Sequence, residues 1–366
     1  MIYILFSLIV LMTFSIPFGF EGLFPFIAGL ILLFFSGIFF LKFLSIKKYA
    51  VFILLLLFFA TFLNLDASPY PLTLLCAFMF YNAKINIKML VWNVIILRTV
   101  FTVVVLLLLK EGYVSNIIFW GDNYTLGFSG NPNGTSSYFF SLTIFMYISV
   151  RLMKNKYMGF VVDIINISVL LVIFYYTGSR TFFFAGVVLY LSSLFIRPKR
   201  NIFASIGILT PFFLFALSFI MLFFYDNLFL NVLFSGRPAF YREAFDLLRP
   251  LDLLTGNSHI IAATGDGVIL DSAYLMILFL SGLPGVLFFL YLYTIFTKNM
   301  LSDIKIWKKY YLYVPVVIAI AFTGFTESTL TQLRDTTIIF YVIIMSVHHF
   351  KLDGKNILDN KNQHYF

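Results

Sequence analysis

The dominant pattern along this chain is a succession of long apolar runs separated by short polar clusters. Runs near 2–20, 23–41 and 89–109 carry almost no charge, and each is long enough to cross a hydrocarbon core of roughly 30 Å. A backbone surrounded by lipid must satisfy its own hydrogen bonds, so such runs predict helices. The alternating pattern of a membrane barrel is absent. Twelve spans follow, near 2–20, 23–41, 49–65, 67–83, 89–109, 135–150, 157–176, 182–196, 201–225, 272–297, 310–325 and 333–350. The expected fold is an all-α polytopic membrane protein of about 12 transmembrane helices, forming a single membrane domain over 1–366. Most connections are short. Residues 111–134 and 226–271 are the two long ones, and long loops in a compact protein commonly carry function.

Composition agrees: 61% of the 366 residues are hydrophobic and 11% are charged. Soluble domains run near a quarter charged, so an ordinary globular protein is excluded. The net charge of +9 does not indicate nucleic acid, because the basic residues sit in short clusters between apolar runs. With strict alternation of loops, eighteen of the 25 Lys and Arg fall on one side and six on the other, with Arg98 inside a span. The positive-inside rule then puts both termini in the cytoplasm and makes 226–271 external. No Lys or Arg precedes Lys42, so the first run is expected to be a retained helix and not a cleaved signal. The single cysteine, Cys76, lies in an apolar run, which rules out an intrachain disulfide.

The basic residues of the external side differ in kind. Five of the six are Arg (Arg180, Arg237, Arg242, Arg249 and Arg334), whereas the cytoplasmic ones are mostly Lys. Topology needs only charge. A planar guanidinium also suits phosphate or carboxylate, so this bias suggests ligand binding over ordinary surface ion pairs.

Several polar groups on that side could carry chemistry. Gly127 to Gly134 reads GFSGNPNG, a turn-rich entry into the sixth span that includes Asn133. Thr177-Gly178-Ser179-Arg180-Thr181 is so short a link that Arg180 lies near membrane level, either as a functional charge or snorkelling to headgroups. Pro238 and Pro250 bracket a predicted helix with Tyr241, Ala244, Phe245 and Leu248 on an apolar face. That face suits a membrane surface. Arg242, Asp246 and Arg249 fall on another face, as a diphosphate cradle or as a plain Arg242–Asp246 ion pair. His259, Asp271 and Glu327 are the candidate catalytic groups, any of which an acceptor hydroxyl could use as a base. A Gly-rich phosphate loop ending in Lys-Ser/Thr, an HExxH motif and an Asp-x-Asp pair are all missing, so no metal or cofactor is expected.

As an ordered set, GFSGNPNG, TGSRT, SGRPAFYREAF and DSAYLMILFLSGLPG resemble the O-antigen ligase/polymerase superfamily over roughly residues 120–330. The resemblance implies a metal-independent, GT-C-like glycosyltransferase of a bacterial inner membrane. It would work at the periplasmic face on oligosaccharides carried by undecaprenyl diphosphate, with a large periplasmic loop between spans nine and ten. It also implies that Arg180 and Arg237 handle diphosphate or glycan; Arg242, Arg249 and Asn133 are further substrate-binding candidates on the residues' own showing. A chain-length regulator is an implied partner. Ligases of this superfamily carry a histidine just before the residue at Ser272; here Asp271 stands there, which favours a polymerase over a ligase. A lipid-linked oligosaccharide flippase is the alternative from outside the enzymes, though Arg98 and Asp163 are the only clear charges within spans.

Overall fold

A computed structural model describes residues 7, 30–31, 34, 48–63, 73–75, 86–119, 123–128, 132–153, 156–199, 201–234, 236–257, 272–327, 341 and 344–345. The expected spans near 2–20, 23–41, 67–83 and 333–350 lie almost wholly outside these residues. The described chain is all-α apart from one two-residue antiparallel pairing, Ile118–Phe119 (β1) with Asn123–Tyr124 (β2). Its helices are α1 (Lys48–Leu63), α2 (Ile87–Lys110), α3 (Pro132–Leu152), α4 (Lys156–Thr177), α5 (Arg180–Phe195), α6 (Ile202–Ile220), α7 (Leu228–Leu233), α8 (Arg237–Asp246), α9 (Asp252–Thr255), α10 (Ala273–Ser302), α11 (Ile304–Tyr310) and α12 (Val314–Thr326). Among the described residues, five stretches are long and apolar enough to cross a membrane: Ile87–Lys110, Tyr157–Thr177, Ile202–Phe224, Ala273–Ser302 and Ile304–Thr326. The protein is therefore a multi-pass, all-helical membrane protein.

Helix starts follow the local sequence. Asn86, Asn201 and Asn227 each cap a helix by accepting from the backbone N–H three residues on, and Asp303 does the same for α11. The chain divides into two compact units. In the first, made of residues 1–32, 83–195 and 334–337, α3 packs against α2, α4 and α5. It is the polar helix of the set, and Thr135, Ser136, Ser141, Thr143 and Ser149 are all buried in it. Enclosure by the rest of the unit gives Thr135 and Ser136 backbone and side-chain partners that lipid would not supply. Lipid-facing α4 shows the reverse, exposing Phe160, Val161, Ile164, Ile165, Leu171 and Val172.

The second unit comprises 33–82, 196–333 and 338–366, and α10 is its centre, packed against α1, α6, α9, α11 and α12. Span ten, expected over 272–297, is longer and is not one rod. Gly282 sits at φ 59, ψ −163, a conformation that interrupts the helix. Pro284, two residues on, lacks the N–H that a continuous helix would use. After the break, residues 283–302 alone rise about 30 Å, enough to cross the core. Before it, residues 273–281 form a short half-helix of which every residue is buried.

Candidate functional site

In the first unit the structure joins two of the sequence motifs. The loop after β2 is tied to α3, because Thr135 Oγ1 donates to the Thr125 carbonyl. Phe128, from GFSGNPNG, inserts its ring among Phe101, Tyr138 and Phe139. Beneath it lies Arg98, 1% exposed, with Nη1 donating to the Tyr138 carbonyl at 2.7 Å and its guanidinium over the Tyr138 ring at 4.6 Å. The Tyr138 hydroxyl returns a bond to the Arg98 carbonyl. A span-embedded charge on α2 is thus held by Tyr138 of α3, against whose ring Phe128 of the loop packs.

The TGSRT turn meets the same loop. Gly178 adopts φ +64, and any side chain there would strike the Asn123 side chain. Ser136 and Thr177 share a 2.7 Å hydroxyl bond, and Tyr124 packs edge-on to Tyr176. Arg180 is exposed as the first residue of α5, and Asn133 is exposed on the first turn of α3. Both candidates therefore stand at one end of this unit with their surroundings fixed.

The second unit gathers the other two motifs. The helix expected between Pro238 and Pro250 exists as α8, Arg237–Asp246, preceded by Gly236 at φ +78. Its apolar face packs on protein: Tyr241 and Ala244, with Phe245 and Leu248 beside them, share one buried cluster with Leu222 of the turn after α6 and with Leu275, Met276, Phe279 and Leu280 of the half-helix. Arg242 makes the ion pair with Asp246 at 2.8 Å, stacked near Tyr225. Arg249 departs from the expected helix face. The helix stops at Leu247, and Arg249 binds Asp252, which accepts from both its backbone N–H and its Nε. Burial pushes the Asp252 carboxyl up, but the hydrogen bonds from Arg249 and Asn257 outweigh it and hold the group below the ordinary carboxylate range. Arg237 opens α8, half-buried.

Gly256 and Gly282 interlock. A Cβ at Gly256 would strike the Leu280 carbonyl, and one at Gly282 would lie 2.7 Å from that of Leu254. The Asn257 N–H donates to the Phe279 carbonyl at 2.6 Å, using an acceptor that the broken helix leaves open. Sequence reasoning noticed Gly282-Leu283-Pro284-Gly285 yet expected a continuous span; the adjacent Gly and Pro were the available signal.

Glu327, 8% exposed, ends α12, and its carbonyl accepts from the Ala273 N–H at 3.2 Å. The start of the half-helix and the end of α12 are thus bonded directly. At the two ends of the half-helix, the Ser272 and Ser281 hydroxyls are buried with no hydrogen-bond partner among the described residues. His259 and Asp271 lie outside the described residues. No group of three or more His, Cys, Asp or Glu suited to a metal occurs among the described residues. No protein-family model, curated protein or solved structure matches this chain.

Proposed function

We propose that the protein is an O-antigen polymerase, with about twelve spans in a GT-C-like arrangement and residues 226–271 in the periplasm. It transfers a growing glycan from one undecaprenyl diphosphate to the terminal hydroxyl of another lipid-linked repeat unit, contributing to lipopolysaccharide biosynthesis in a bacterial inner membrane. The diphosphate leaving group carries the driving energy, so no nucleotide is needed. The observation that carries the reading is the Ala273–Glu327 backbone bond. It brings Glu327 to the start of the half-helix at Ala273, and the half-helix shares a buried apolar cluster with the arginine-bearing α8.

In this reading Arg180 and Arg237 are, each in its own unit, arginines that handle diphosphate or glycan, where a guanidinium can stabilise charge on a leaving diphosphate. Asp271 or Glu327, with His259 as the third candidate, takes the acceptor proton. Arg242 and Arg249, each paired to a carboxylate, contribute shared charge and orientation. A ligase would use the same donor, and the acid at position 271 speaks for the polymerase. Discontinuous helices also occur in transporters, where the break faces substrate. Here the break at Gly282 is filled by the backbone of residues 253–257, which favours a docked protein segment over an alternating pathway.

A deletion strain tests the assignment on one gel of lipopolysaccharide. The expected result is lipid A-core bearing a single repeat unit, with a ladder restored by complementation. Bare core with polymer left on undecaprenyl diphosphate would point to a ligase. Bare core with units retained in the cytoplasm would point to a flippase.

A further inference from the structure

Between the apolar helix α6 and the docked helix α8, the chain makes a short step whose outer face is apolar and uncovered. Leu228, Phe229 and Val232 of α7 are 81%, 72% and 81% exposed, and Phe223 just before them is 74% exposed. The three α7 positions share one side of a helical turn. The opposite side is fastened: Asn231 donates to the Tyr225 carbonyl, and its side-chain oxygen accepts from the Ala239 N–H at 3.2 Å. The Asn231 carbonyl takes the Gly236 N–H at 2.6 Å. No residue from Asn227 to Gly236 is charged. A step secured on one side and greasy on the other is poorly explained as a solvent loop.

We infer that α7 is an interfacial wedge, lying along the bilayer surface with Leu228, Phe229 and Val232 among the acyl chains. Six residues rise only about 9 Å, far too little to span, so the helix lies along the surface. Its exposed face continues in sequence from the exposed residues Phe212, Phe213 and Ile220 of α6 and Phe223 just after it. A second copy of the chain is a poorer occupant, because three side chains fall well short of the roughly 1,200 Å² of a stable interface. The wedge has a geometric result. Tyr225 lies between α6 and α7, and the Arg242 guanidinium is 5.4 Å from its ring. With α7 at the acyl boundary, Arg242 and the outer side of α8 stand at headgroup level. The inference is independent of the glycan chemistry proposed above.

The test uses the full chain in proteoliposomes, with Cys76→Ser and single cysteines at Phe229, Val232, Phe213 or Glu243 carrying an environment-sensitive fluorophore. Lipids with a nitroxide high on the acyl chain, just below the headgroup, should quench labels at 229 and 232 several-fold more than the label at 243. Lipids with a nitroxide deep in the chain should favour 213. A Val232→Trp variant read with brominated lipids repeats the measurement if a labelled protein fails to fold. Quenching of 229 and 232 by aqueous iodide to the extent seen at 243 would overturn the wedge. So would protection from both lipid and aqueous quenchers, since that means protein covers the face.

Discussion

A methyl group added at Gly256 would meet the Leu280 carbonyl, and one at Gly282 would meet the Leu254 carbonyl, so each glycine holds the other's segment in place. Gly282→Ala also forces a side chain into a backbone region reserved for glycine, at a cost of about 1–3 kcal/mol before the clash is counted. We expect Gly282→Ala and Gly256→Ala each to lower the thermal midpoint of the purified protein clearly. Gly112→Ala has a similar φ of +78 with open space around it, and should lower the midpoint less. Equal losses from all three would remove the interlock from the explanation. At Arg180 and Arg237 the proposed chemistry asks for a planar fork, so Arg180→Lys and Arg237→Lys should each lose about tenfold in polymer formation at equal membrane abundance. Wild-type glycan ladders from both Lys variants would reduce these arginines to plain surface charges.

At the scale of elements, α3, α4 and α5 are pinned by one polar cluster. Arg151 Nη1 reaches both oxygens of Asp163 at 2.7 and 2.9 Å, and its guanidinium covers the Tyr147 ring at 3.8 Å. The Tyr190 hydroxyl donates to Asp163 and accepts from Asn166, which also holds the Thr143 carbonyl. Removing one partner strands the other in a half-buried place, so Asp163→Leu should destabilise the protein by about 3 kcal/mol. The double variant Arg151→Met with Asp163→Leu should recover much of that loss. A double variant no better than the single, in a denaturation series, would show that the cluster does more than neutralise itself. Sequence patterning made α8 legible, since Pro238 and the Tyr241–Ala244–Phe245–Leu248 spacing mark both start and apolar face. It left open what that face meets, because lipid and a buried half-helix demand the same residues. Arg249 was assigned to the helix for a related reason: periodicity extends past a stop that Asp252 imposes through hydrogen bonds.

Over the whole molecule, apolar length announces membrane spans, and the five stretches found among the described residues overlap expected ones, although the last begins at Ile304, in what the pattern makes a loop. It is a weaker guide to a helix such as α3, whose hydroxyls lower its hydropathy, and it cannot see a break such as Gly282. The candidate site was legible as motifs and not as neighbours, because the pairing of GFSGNPNG with TGSRT, and of α8 with the half-helix, depends on tertiary packing. Orientation is open to a direct check. Leu254 is 56% exposed, so Leu254→Cys in a Cys76→Ser background should react with an impermeant thiol reagent in intact spheroplasts. Protection there, with labelling of Lys308→Cys, would invert the topology. The glycine interlock also has a meaning in time. Its two halves are near neighbours in sequence, so they can engage as soon as α10 leaves the ribosome, whereas the Ala273–Glu327 bond must wait for α12 to be made. Synthesis would thus deliver an already folded step for the last helices to close upon, and a chain halted after Ser302 should already shield the backbone amide of Asn257 from hydrogen exchange.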